Sequence, residues 1–231
     1  MKDRLFSLTT IIMILVAVVM LFELSDLDAY VQQYLYNAES NSWLIDRDEP
    51  ILHFILYSGI KKLFIMIVLM LLFLIILFRK VSWVKDNLKG LIIVVMSCFV
   101  IPLTVGAIKG STNMPCPNQI VEFGGDYTKI GLFEKADQSK DEINFKCYPA
   151  GHASGGFALL SLLFLFKSSG SKRVTLISVL ALSWSIATYK MFIGDHFLSH
   201  TIVTMLLSWI IVLIIVRFVN YTEGRYFTKD I

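Results

Sequence analysis

Four histidines occur in this chain of 231 residues, and three of them fall in two short stretches. Tyr148–Ser154 reads Y-P-A-G-H-A-S and contains His152; Lys190–His200 reads K-M-F-I-G-D-H-F-L-S-H and contains His196 and His200. A third polar stretch, K-G-S-T-N-M-P-C-P, opens at Lys109. Imidazoles beside ammonium groups suit attack on an anion: one imidazole as nucleophile, another as general acid, with lysines neutralising the charge. A competing chemistry is metal ligation, since His196 and His200 at i, i+4, with His152 and Asp195, are residue types that hold zinc. Insensitivity to chelators separates the two.

The elements that must position these residues are membrane helices. The chain is 56% hydrophobic and only 17% charged, with a mean hydropathy of +0.68, whereas soluble domains are about 25% charged. No acidic residue lies between Pro50 and Lys85 or between Ile143 and Gly194. A helical span needs roughly 20 mostly apolar residues. Six stretches meet or approach this: Leu5–Phe22, Ile60–Phe78, Leu88–Ile108, Gly151–Phe166, Val174–Tyr189 and Ser199–Val219, the fourth and fifth being short. Lys2 and Arg4 precede the first stretch, but no small-residue cleavage site follows it, so it reads as a retained span. The expected fold is therefore an all-α integral membrane protein, one domain over residues 1–231 built as a six-helix bundle. Net charge +3 and pI ≈ 8.7 arise from lysines and arginines in short loops, which report orientation and give no reason to expect nucleic acid.

Arg79, Lys80, Lys85 and Lys89, and then Lys167, Lys172 and Arg173, mark two loops as cytoplasmic by the positive-inside rule. Glu23–Ser58, with seven acids against Arg47 alone, and Lys109–Ala150, with six acids and five bases, belong outside. Both termini are then cytoplasmic. Residues 23–58, rich in Tyr and Trp, are expected to lie along the outer surface as one or two short helices. Lys109, His152, Lys190, His196 and His200 all gather at the outer ends of four spans, which points to a site for an anionic group.

In order and spacing the three stretches resemble the signatures of the type 2 phosphatidic acid phosphatase superfamily, the integral-membrane lipid phosphate phosphatases related to vanadium haloperoxidases. Its patterns are K-x6-R-P, P-S-G-H and S-R-x5-H-x3-D. Lys109 and Pro117 match the first, Pro149, Gly151 and His152 the second, and His196 the third. Cys116 stands at the family's Arg, Ala150 at its Ser, Lys190 at its second Arg and His200 at its Asp. The resemblance implies a nucleophilic His196 that forms a phosphohistidine, and a general acid, His152. It implies that Lys109, Lys190 and the N–H groups at Gly151 and Ala153 hold the phosphate. His200, read as one helical turn beyond His196, would orient it in place of the Asp, with Asp195 as an electrostatic substitute. No cofactor or metal is implied.

The expected substrate is an anionic lipid phosphate at the headgroup level: phosphatidate, phosphatidylglycerophosphate, a polyprenyl pyrophosphate or lipid A. The expected location is a bacterial inner membrane with the site facing the periplasm or exterior. Two alternatives keep the fold and change the outcome: a degenerate lipid-binding pseudophosphatase, and a phosphotransferase acting from lipid to lipid. Because Cys116 and Cys147 flank the two phosphate motifs in the outer loop, a Cys116–Cys147 disulfide is expected, with Cys98 packed inside the third span.

Overall fold

The computed structural model describes residues 7–134 and 145–227, the last five as backbone only. The reading of a first span from Leu5, and the middle of the loop Lys109–Ala150, therefore reach outside the described residues. Helix α1 (Leu8–Glu23) is capped by Ser7, whose hydroxyl accepts the Thr10 N–H. After α2 (Leu27–Gln32) come two short antiparallel strands, β1 (Tyr36–Asn37) and β2 (Ser42–Trp43). Helix α3 (Pro50–Leu77) starts with Pro50 in its first turn, where no N–H is missed, and Glu49 accepts the Leu52 N–H. It winds more loosely through Phe54–Gly59. Then follow α4 (Ser82–Lys109), α5 (Gly151–Phe164, tightening from Leu159), α6 (Ser169–Phe192) and α7 (Leu198–Phe227).

Four of these helices, α3, α4, α6 and α7, are long and apolar enough to cross a membrane; α1 and α5 are apolar but shorter. Each expected span coincides with a helix. The fifth is not short, however: α6 has 24 residues, because the polar Ser169–Arg173 turn is helical as well. A core of Leu91, Val94, Ile101 and Val105 on α4 meets Ala158 of α5 and Val212 of α7, all fully buried. By contrast α3 turns Ile65, Met66, Leu69, Met70 and Phe73 outward, as a lipid-facing helix does. Where apolar surroundings give helices no hydrophobic reason to associate, close packing of small residues does so. A Cβ on Gly156 of α5 would lie 2.7 Å from the Ser183 hydroxyl of α6, so that approach requires glycine.

The segment 23–58 departs from expectation. It contains one short helix and a hairpin, and from Pro50 onward it is already the start of α3. Amphipathic composition alone does not distinguish a surface helix from a hairpin whose aromatic residues pack inward. Here Tyr36 and Trp43 face each other across the strands and both meet Phe123. The segment also ties two helix ends together. Asp28 accepts the N–H of Ser199 at 2.9 Å and the Ser199 hydroxyl, capping α7 from another element. Burial pushes the Asp28 carboxyl up, against the pull of those two bonds. Gln32 donates to the Met191 carbonyl at the end of α6. Between α6 and α7 the chain turns through Gly194 at φ +72°, where any Cβ would enter the Trp43 ring. Both the backbone conformation and the hairpin above it exclude a side chain there.

Candidate active site

Every residue expected to touch phosphate lies at one end of the bundle. Lys109 ends α4, and its ammonium sits 3.7 Å from where a Cβ of Gly151 would be. Gly151, His152 and Ala153 form the first turn of α5. Ala150 precedes that turn without a side-chain cap, so in the place of the family's serine it leaves the first N–H groups uncapped by its own side chain. Lys190 lies in the last turn of α6 and is 4% exposed. The His152 and His196 rings are 6.0 Å apart, and those of His196 and His200 5.7 Å. Cys116 and Cys147 are joined in a disulfide with Cα atoms 5.2 Å apart, and Cys98 is a buried free thiol on α4. The Cys147 sulfur sits 4.0 Å from His196 Nδ1 and 3.0 Å from the Asp195 carbonyl. A disulfide sulfur has no proton, so the second is a close contact and not a hydrogen bond.

Two expectations about His196 are corrected. It does not share a helix with His200, because α7 starts at Leu198 and His196 lies in the turn before it. The glycine turn at Gly194 interrupts the helical register that a four-residue spacing implies. No hydrogen bond joins the two rings. His200 lies against the Cys147 backbone, without either ring nitrogen completing a hydrogen bond of good geometry. Nor does Asp195 serve His196. Its carboxylate accepts from Lys190 at 2.8 Å, from Arg47 at 2.6 Å and from Asn118 at 3.3 Å. So engaged, it is also a poor metal ligand, which weakens the zinc reading of His152, Asp195, His196 and His200.

Burial first, then the charges of His200, Lys109, His152 and Lys190, hold the His196 imidazole well below its ordinary pKa. It is therefore neutral at physiological pH, and its buried Nε2 accepts no hydrogen bond. A neutral nitrogen with a free lone pair is what a nucleophile requires. The shift also has a consequence for stability. The unfolded imidazole takes a proton near pH 6.5 and the folded one does not, so stability present above that pH is lost as pH falls below it. The thermal midpoint in detergent should decline from about pH 6.5 downward. His196→Gln should make that decline shallower; an unchanged slope in the variant would assign it to other groups.

Three contributors were not foreseen. Arg47 and Asn118 complete the cluster on Asp195, and the Tyr57 ring of α3 packs at a tilt against His152, centroids 4.9 Å apart, while the Lys190 ammonium sits 4.2 Å over the Tyr57 ring. The one trace of Arg47 in the sequence is that it is the single base in an acidic segment. From His152 and Gly151 a cavity of about 340 Å³ runs between α3, α5 and α6, walled by Leu56, Phe64, Leu159 and Ile186, with Lys61 among its lining residues.

The bundle, with four helices long and apolar enough to cross a membrane, gathers histidines and lysines around a helix N-terminus that has no side-chain cap. The PAP2 superfamily model matches residues 89–223, more than half of the chain and all three polar stretches, and the protein belongs to that superfamily. Its members are phosphatases, which supports a phosphatase-type activity on phosphate esters. No curated protein and no solved structure gives a significant match.

Proposed function

We propose that this protein is a membrane lipid phosphate phosphatase that hydrolyses a phosphomonoester or pyrophosphate through a phosphohistidine. The observation that carries the reading is the junction at His152 of a cationic site with an apolar cavity. A lipid can lay a chain in that cavity while its phosphate rests between Lys109, Lys190 and the start of α5. Phosphoryl transfer asks mainly for positioning and charge neutralisation. His196 Nε2 forms the N–P bond as the P–O bond to the leaving group breaks. His152 gives that oxygen its proton, then takes one from the water that cleaves the N–P bond. The negative charge of the bound phosphate is what favours a protonated His152 beside two lysines.

Phosphate release by the pure protein in detergent, with chelator present, tests this over phosphatidate, phosphatidylglycerophosphate, polyprenyl pyrophosphate and lipid A. Release from none of them would leave the pseudophosphatase reading; loss of substrate phosphate with none freed would favour transfer to a second lipid.

Counting α1 and α5 as spans gives six crossings, cytoplasmic termini and a site on the outer face, as the loop charges require. A reporter fused after Lys172 should then behave as cytoplasmic and one after Lys129 as external. The reverse pattern would put the site on the cytoplasmic face.

A further inference from the structure

Cys147, His196 and His200 are 1%, 2% and 0% exposed, and each offers a ligand atom within 4.8 Å of the other two. His196 Nε2 completes no hydrogen bond, and neither nitrogen of His200 completes one of good geometry, although that ring lies against the Cys147 backbone. Buried polar atoms are ordinarily satisfied, so unpaired ring nitrogens clustered beside a sulfur indicate a partner that the fold itself does not supply. The phosphate chemistry accounts for one of them, His196 Nε2. It leaves His200 and the sulfur at His196 Nδ1 without a role.

In the oxidised chain that sulfur is no ligand, because its valence is taken by Cys116. We propose that reduction of the Cys116–Cys147 disulfide turns Cys147, His196 and His200 into a zinc site, and that zinc bound there switches hydrolysis off. A dithiol reductant supplies two electrons and two protons, leaving two cysteine thiols and its own disulfide. Zinc then displaces the Cys147 proton to solvent and takes the thiolate, the His196 Nδ1 lone pair and one His200 nitrogen; water fills the fourth position. Bonds of about 2.3 Å to sulfur and 2.0–2.1 Å to nitrogen in a tetrahedron place ligand atoms roughly 3.5 Å apart. The Nδ1 to sulfur distance is already 4.0 Å, and cleaving the S–S bond frees the Cys147 side chain to close the rest.

The effect on catalysis follows from electron counting. A neutral imidazole has one lone pair, and its other nitrogen carries the proton. With zinc on Nδ1 the proton resides on Nε2, which then has no lone pair with which to attack phosphorus. The oxidised chain leaves Nε2 free. This last step rests on the phosphohistidine reading; the zinc site does not.

The test uses the full chain in detergent, either oxidised or reduced with a phosphine and desalted without air. Zinc retained per chain is measured, and Co²⁺ is substituted to look for the thiolate-to-metal charge-transfer band in the near ultraviolet. Reduced protein should retain about one zinc and show the band, and oxidised protein should show neither. Cys116→Ser, which frees Cys147 permanently, should bind zinc without reductant. Reduced protein alkylated at its thiols should bind none. Equal zinc uptake by oxidised and reduced protein, or uptake surviving alkylation, overturns the site; zinc-loaded reduced protein that still hydrolyses lipid phosphate overturns the switch. If oxidised protein hydrolyses nothing while zinc uptake follows redox state, the phosphatase reading and the switch fail and the metal site stands.

Discussion

His196→Ala is expected to lower phosphate release by about 10⁴-fold or more while leaving the protein folded. Losing the nucleophile of a covalent mechanism removes the step itself, and what survives comes from the remaining charge contacts. Folding should survive because the buried Nε2 satisfies no other group, so no partner is left orphaned when the ring goes. The small cavity created is offset by removal of an unpaired polar atom. His152→Ala should lose about 10²–10⁴-fold, the range of a general acid, and retain the ability to be phosphorylated. Rapid quenching with a lipid labelled at the phosphate checks both. An acid-labile, base-stable label on the protein should be absent from the His196 variant and present in the His152 variant. Activity in His196→Ala within tenfold of wild type would remove the phosphohistidine from the mechanism.

Asp195→Ala should be the most destabilising single change at the site. The Lys190–Asp195 pair is buried, its side chains 5% and 10% exposed. Removing one partner of such a pair typically costs about 3–5 kcal/mol, because the other charge stays buried. The Tyr57 face under the Lys190 ammonium returns part of that, about 0.5–2 kcal/mol. Arg47 adds little to the balance, since its side chain is 61% exposed and solvent screens it. A net loss of about 2–4 kcal/mol corresponds to a fall in thermal midpoint of very roughly 5–15 °C for a chain of this size. Adding Lys190→Met removes the stranded charge and should recover most of the stability with none of the activity. A midpoint for Asp195→Ala within a degree of wild type would mean that the pair does not hold the turn.

The helices were legible because each is encoded locally. An apolar run near twenty residues long bounded by charges reads as a span by its own composition; Ile60–Phe78 and Leu88–Ile108 each end within one residue of α3 and α4, although the helices begin at Pro50 and Ser82, in polar or mixed sequence before the runs. Lys109, His152, Lys190 and His196 could be singled out for a related reason. A polar residue at the end of an apolar helix costs little there only if it meets water, an ion or a ligand, so several at one level of the bundle mark a site.

At the site, the error about His196 fell where helical spacing was extended across a turn. His196 and His200 are four apart, which on a continuous helix puts two rings on one face; the glycine turn at Gly194 breaks that continuity, and Trp43, from a hairpin some 150 residues earlier in sequence, occupies the space where a side chain would go. The sequence by itself determined which stretches are helices, which residue types line one end of them, and the superfamily to which they belong, because hydropathy and motif spacing are properties of consecutive residues. Only the tertiary structure decided that Asp195 answers Lys190 and Arg47 instead of His196, that Tyr57 lies between His152 and Lys190, and that a disulfide sulfur faces His196 Nδ1. A carboxylate or an aromatic face takes whichever partner packing brings within a few ångströms, and separations of 148 residues between such partners leave no periodic trace in the chain.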